Sequence, residues 1–312
     1  MQPSVVIAVY AVLVVLSSLL GGFLPALIRL NHMRLQLLLS GIGGFMLGIG
    51  LFHLLPHSLN AEVSIDRSVW WLMLGLLTTF LLIRVFSSHD HSPAPGAGHD
   101  HADPEEGGHA HTHGVAGGLT GSKYRWVGIA LGLSLHTLLD GVALAAAVMS
   151  DAQHMPGAIF LGFAVFLGIL LHKPLDSLSI TALMAGSGWS VQSQTIVNFA
   201  YALMCPLGAV AFYLGVHNTP HEMVVIGCAL AFAGGIFICI SLGDLLPELQ
   251  FHAHDRIKLT AMLLFGVALA HGLRYLEPAH LHDHDSSPAV HTGHDASHDH
   301  DHQHDAPHDH DH

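Results

Sequence analysis

A chain of 312 residues with 51% apolar and only 11% charged side chains is too apolar to fold as an ordinary soluble domain. The formal net charge of −13 is also uneven: residues 277–312 hold nine acids and no Lys or Arg, residues 87–123 hold five more acids, and the remainder is nearly neutral. No basic patch points to nucleic acid. The three cysteines, Cys205, Cys228 and Cys239, all lie in apolar runs, which argues against both a disulfide framework and a thiolate zinc finger.

In chain order, eight apolar runs are long enough to span a bilayer: about 4–28, 36–59, 66–86, 124–149, 156–184, 192–215, 221–247 and 256–276. The first lacks a basic leading region and a small-residue cleavage site, so it is expected to stay as a span. The fold class is therefore an all-α membrane protein of eight transmembrane helices. Residues 1–86 hold spans one to three, 87–123 a long loop, 124–276 spans four to eight, and 277–312 a tail.

Basic residues near helix ends set the orientation. Arg29, Arg34, Arg84, Lys123, Arg125, Arg256 and Lys258 fall on one side, and only Arg67 and Arg274 on the other. Both termini are expected outside (periplasmic), the 87–123 loop in the cytosol, and the chain in the cell (inner) membrane.

The loop contains "SSHDHSPAPGAGHDHADPEEGGHAHTHG" and the tail "HLHDHDSSPAVHTGHDASHDHDHQHDAPHDHDH". Gly, Pro, Ser, His and Asp cannot pack a core, so both are expected to be disordered. Imidazole and carboxylate together collect Zn, Ni, Co or Cu ions with little geometric selection.

Within the spans, "GGFMLGIGLFHLLPH" (43–57) aligns without a gap on "GGIFICISLGDLLPE" (234–248). His53 falls on Asp244 and His57 on Glu248. The two segments run in opposite directions across the membrane, so they read as an inverted repeat, a mark of secondary transporters. Pro56 and Pro247 each remove a backbone donor and are expected to disturb the helix one turn upstream. These four polar residues are candidates for lining an ion path.

Span four contains "LHTLLDG" and span five "LLHKPLD". His136 and Asp140 are four apart and share a helix face, as do His172 and Asp176. One nitrogen and one carboxylate from each of two spans suit a divalent transition metal such as zinc. Hydrogen bonding between the spans without metal is the alternative. Lys173 stands out, because a lysine at mid-membrane costs roughly 2.5–3.5 kcal/mol on insertion scales.

These motifs resemble the ZIP (Zrt/Irt-like protein) family of divalent-metal transporters. "LHTLLDG" is similar to its His-Asn-x-x-Asp-Gly signature, "FHLLPH" and "GDLLPEL" to its span-two and span-seven motifs, and "NFAYALMCPLGA" to its span-six pattern. The resemblance covers roughly 1–276. It implies a 3+2+3 arrangement, a site for two adjacent metals between spans four and five, and an elevator-like slide of one helix group against the other. By resemblance alone, Asn198 joins the path residues. Two departures stand out: Thr137 replaces the usual Asn, and His172-Lys173-Pro174-Leu175-Asp176 replaces His-Glu-Ile-Pro-His/Glu or His-Asn-Ile-Pro-Glu. Lys173 takes the place of a second-metal ligand. The expectation is a single-metal site of His136, Asp140, His172 and Asp176, with Lys173 as counter-charge to Asp176 or Asp140.

The expected function is import of Zn2+ into the cytoplasm by alternating access, with Fe2+, Mn2+, Co2+ or Ni2+ also compatible. The alternatives are an exporter of the cation-diffusion-facilitator type and a membrane metal buffer or sensor. An enzyme is not expected, since no His-Glu-x-x-His or other hydrolytic partner accompanies the pairs. Metal ions and the bilayer are the expected partners, and the sequence leaves homodimerisation open.

Overall fold

The computed structural model describes residues 2–27, 32–61, 63–87, 125–154, 158, 160–217, 219–251 and 256–275. The histidine-rich loop and tail, the His252–Asp255 stretch, and the side chains of Asp244 and Glu248 lie outside the described residues. The described chain is helical: α1 (Pro3–Leu27), α2 (His32–Ile49), a π-helical turn (Gly50–Leu54), α3 (Leu55–Asn60), α4 (Ile65–Ser87), α5 (Arg125–His154), α6 (Phe163–Gly186), α7 (Val191–Ala202), α8 (Met204–Val216), α9 (Glu222–Phe251) and α10 (Arg256–Leu273). Eight of the resulting helical stretches are long and apolar enough to cross a membrane, and they match the eight runs read from the sequence.

Prolines shape three of them. The π-helical turn lies immediately before Pro56, where a missing backbone donor is expected to disturb the ladder. Pro206 stands just after the break at Leu203 that divides span six into α7 and α8. Pro174 lies inside α6, where its missing N–H leaves the carbonyl of Leu170 without its usual partner. The Ser17 hydroxyl of α1 donates to that carbonyl at 2.9 Å, so the backbone group is satisfied without water.

Packing divides the helices into two groups. α1, α5, α6 and α7–α8 form one bundle, with α1 on α6 and α5 on α8 as its main contacts. α2–α3, α4, α9 and α10 form the other, with α2 on α10 and α4 on α9. The pattern is that of an inverted repeat: exchanging spans one, two and three for six, seven and eight, and four for five, maps each main contact onto another. The register is preserved in detail. A methyl group on Gly44 would lie 2.2 Å from the Leu263 carbonyl oxygen, and one on Gly235 would lie 2.0 Å from that of Leu72. The spacing that carries Gly44 to Gly235 also carries Leu72 to Leu263. Such backbone approach is how small residues join membrane helices.

Gly235→Ala is therefore expected to force α9 from α4, because the obstructing atoms are backbone, with the Leu76 nitrogen at 2.7 Å. A loss of about 1–3 kcal/mol follows from such overpacking. Thermal unfolding in detergent checks this, with Gly243→Ala, which meets nothing within 4 Å, as the neutral control.

The main apolar core joins both bundles. It includes Val14, Phe45, Ile49, Leu54, Leu144, Val148, Ile169 and Phe237. These residues come from the halves of the helices nearest the start of α1 and the end of α5. In the opposite half, a smaller cluster of Ala130, Ile180, Met184 and Tyr201, flanked by Trp126 and Trp189, stays within α5, α6 and α7.

Candidate metal site

Midway along α5 and α6, the two His-x-x-x-Asp faces meet. The spacing puts each histidine one helical turn from its aspartate, and the helix contact brings the two pairs together. His136 Nε2 and His172 Nε2 both lie 3.3 Å from Asp140 Oδ2. Asp176 Oδ2 is farther, 3.9 Å from His136 Nε2 and 3.8 Å from His172 Nε2. Ligand atoms roughly 2.0–2.2 Å from a tetrahedral zinc are separated by roughly 3.3–3.5 Å, so each imidazole nitrogen already stands at a suitable spacing from Asp140 Oδ2. His136, Asp140 and His172 are the one trio of His, Cys, Asp or Glu with ligand atoms grouped closely enough for a metal among the described residues.

The local hydrogen bonds leave metal-binding electron pairs facing inward. His172 Nδ1–H donates to the Gly168 carbonyl at 2.7 Å. In the neutral ring this places the lone pair on Nε2, toward Asp140. Neither ring nitrogen of His136, nor Asp140 Oδ1, has a hydrogen-bond partner, although all are buried. Buried polar atoms are normally satisfied, and a cation is the partner that two imidazoles and a carboxylate can share. His172 also sets its ring edge against Phe237 of α9, with centroids 6.3 Å apart, which places the site at the junction of the bundles.

Lys173 reaches into this group and is fully buried. Its ammonium donates to Asp140 Oδ2 at 2.5 Å, Asp176 Oδ2 at 3.1 Å and Thr137 Oγ1 at 3.1 Å. All three of its protons therefore have acceptors. The nitrogen also lies 3.4 Å from His172 Nε2. Thr137 donates to the Tyr201 oxygen at 2.8 Å, and the Tyr201 hydroxyl donates to Asp176 Oδ2 at 3.0 Å. This ring of contacts ties α5, α6 and α7 together around the site.

Of the remaining sequence candidates, His53 and His57 engage other partners and Asn198 lies at the edge of the site. His53 is buried, with Nε2 2.8 Å from the Ala270 carbonyl of α10. His57 donates from Nδ1 to the His53 carbonyl at 2.7 Å and faces Asp151 with Nε2 at 3.5 Å. Asn198 accepts from the Ser177 hydroxyl, and its amide is 3.5 Å from the Leu19 carbonyl, so it joins α6, α7 and α1 beside Asp176. Asp244 and Glu248 fall on α9, but their side chains lie outside the described residues.

Sequence reasoning did not single out Tyr201 or Asp151. Tyr201 had one usable signal: a phenol in an apolar span needs a hydrogen-bond partner when buried. Asp151 lies just past the apolar run ending near 149, where an acid reads as part of a loop.

The model of the ZIP zinc transporter family matches residues 4–274. Zinc transporter 3 of Arabidopsis thaliana is 27% identical over 152 residues, covering 45% of this chain and 42% of that protein. Zinc transporter ZIP4 of Mus musculus is 24% identical over 291 residues, covering 78% of this chain and 42% of that protein. Metal cation symporter ZIP14 of Homo sapiens is 29% identical over 138 residues, covering 42% of this chain and 25% of that protein. The chain thus spans less than half the length of these curated relatives. With the family model covering nearly all eight spans, the chain belongs to the ZIP zinc transporter family.

Proposed function

We propose that the protein carries a divalent metal, most simply Zn2+, across the membrane through a single-metal site made by His136, Asp140, His172 and Asp176. The convergence of buried nitrogen and carboxylate atoms from two helices, at the junction of two bundles, carries this reading. The printed names of the relatives, zinc transporters and a metal cation symporter, support the cargo. Fe2+, Mn2+, Co2+ and Ni2+ suit the same ligand types.

Lys173 supplies the missing cation while the site awaits metal. Its nitrogen lies too close to Asp140 Oδ2 and Asp176 Oδ2 for zinc to share those atoms without displacing it. Thr137 Oγ1 already accepts from the ammonium at 3.1 Å and offers it an anchor besides the carboxylates. Loading thus exchanges one positive charge for two between the same carboxylates, and release returns the lysine.

Transport follows from relative movement of the two bundles. The broad apolar core seals one side of the site, while Asp176 retains 21% of its side-chain exposure on the other. With the orientation expected from Lys and Arg, the sealed side is external, and import into the cytoplasm is the proposed direction. His53, His57, Asn198, Asp244 and Glu248 are proposed to serve the path. A buffer or sensor is separated from a transporter by flux. In proteoliposomes, protein lacking 87–122 and 280–312 is expected to retain zinc flux, since the spans carry the site. Loss of flux with zinc still bound by the full chain would favour a buffer.

A further inference from the structure

Polar contacts among the described residues join the two bundles where the last turn of α5 meets α3 and the start of α9. Gln153 Nε2–H donates to Glu222 Oε1 at 3.3 Å, His154 Nε2 lies 3.3 Å from the Asn60 carbonyl, and His57 Nε2 lies 3.5 Å from Asp151 Oδ1. The third differs in kind. His57 Nδ1–H is committed to the His53 carbonyl at 2.7 Å, so the neutral ring presents its Nε2 lone pair to a carboxylate oxygen. Two electron pairs that face each other repel unless a cation lies between them.

Asp151 is held for this role. Its side chain is 3% exposed, and Oδ2 accepts the Gly162 N–H at 2.7 Å. That bond anchors the left-handed turn at Gly162 (φ 63°) leading into α6, and Oδ1 faces His57. A 3.5 Å gap is long for a charge-assisted hydrogen bond, which is roughly 2.7–2.9 Å. It matches the roughly 3.3–3.5 Å between two ligands of one tetrahedral zinc, and approaches the 3.3 Å separations at the central site. His57 keeps 19% of its side-chain exposure, enough for water to complete the coordination.

We propose that His57 Nε2 and Asp151 Oδ1 form a second divalent-cation site, taking Zn2+ with one imidazole, one carboxylate and water ligands, at the mouth of the bundle interface. The proposal rests on the reading of the protein as a zinc carrier. Asp151 follows Asp140 by three turns of α5, a rise of roughly 16 Å, so the two sites cannot share an ion. The outer ligands come from different bundles, His57 from α3 and Asp151 from α5. An ion bound there fastens the mouth, and it leaves before the bundles part. The site thus couples loading at the mouth to the closed arrangement of that side.

Zinc-edge anomalous difference maps of the full-length protein crystallised with Zn2+ test this, because they locate ions regardless of the other histidines. The expected result is one peak between His57 and Asp151 and another among His136, Asp140 and His172. In His57→Gln the outer peak is expected to vanish while the central one stays. A central peak without an outer one in the unaltered protein would overturn the proposal and leave an imidazolium–carboxylate ion pair at the mouth. An outer peak that survives His57→Gln would also overturn it. An outer peak alone would uphold it and remove the central assignment, and zinc at neither position would overturn both.

Discussion

Asp140→Asn is expected to reduce zinc flux into proteoliposomes at least about 100-fold, since losing a partner behind a metal ligand already costs 10–100-fold. Asp140 Oδ2 is the atom that both imidazoles and the lysine share, at 3.3, 3.3 and 2.5 Å. The amide keeps the volume and one oxygen but removes the charge that attracts the cation. It also weakens the pairing of a fully buried ammonium, and breaking a buried pair costs about 3–5 kcal/mol. Loss of flux could therefore reflect misfolding. The double variant Asp140→Asn with Lys173→Gln separates the two effects. Removing both charges should recover much of the thermal stability without restoring flux. Asp176→Asn should be milder, because Asp176 lies 3.8–3.9 Å from the imidazoles and is 21% exposed. Unaltered flux in folded Asp140→Asn would place the transported ion elsewhere.

The eight spans were legible because length and hydropathy are properties of local sequence, and the folded helices match them. The repeat was legible only where letters repeat, at Gly-Gly, at Leu-Leu-Pro and at the polar residues beside it. Its extension to Leu72 and Leu263 rests on carbonyl groups that glycines allow to approach, and a carbonyl has no letter of its own. The ligand pairs could be read because one helix turn fixes which residues share a face. Lys173 as counter-charge to Asp176 or Asp140 was already an expectation of the sequence, whereas its contact with Thr137 was not, since Thr137 lies across a helix interface. Thr137 was visible as a departure from the family signature, yet its link to Tyr201 depends on how α7 packs. Asp151 needed both the Gly162 turn and the neighbouring α3 to acquire a partner.

Lys173→Gln is expected to lower the unfolding temperature without zinc and enlarge the rise that zinc produces. In the unaltered protein the ammonium bridges Asp140 and Asp176, and on the proposed single-metal reading an incoming zinc displaces it. Glutamine leaves the buried Asp140 and the partly exposed Asp176 carboxylates near each other without a cation, which destabilises the metal-free fold. The same change removes the competitor for metal. A ligand that binds only the folded state stabilises it by RT ln(1 + [L]/Kd), so tenfold tighter binding adds about 1.4 kcal/mol at saturating zinc. Zinc held equally by the folded and the unfolded protein shifts no equilibrium. The difference in zinc-dependent shift between Lys173→Gln and the unaltered protein therefore reports the site that Lys173 touches, even in the full chain. Flux should move the opposite way from affinity, because a tighter site releases its ion more slowly and no tethered cation reclaims the carboxylates. An unchanged zinc-dependent shift would mean that Lys173 serves the fold alone, pairing two aspartates that metal never needs to recover.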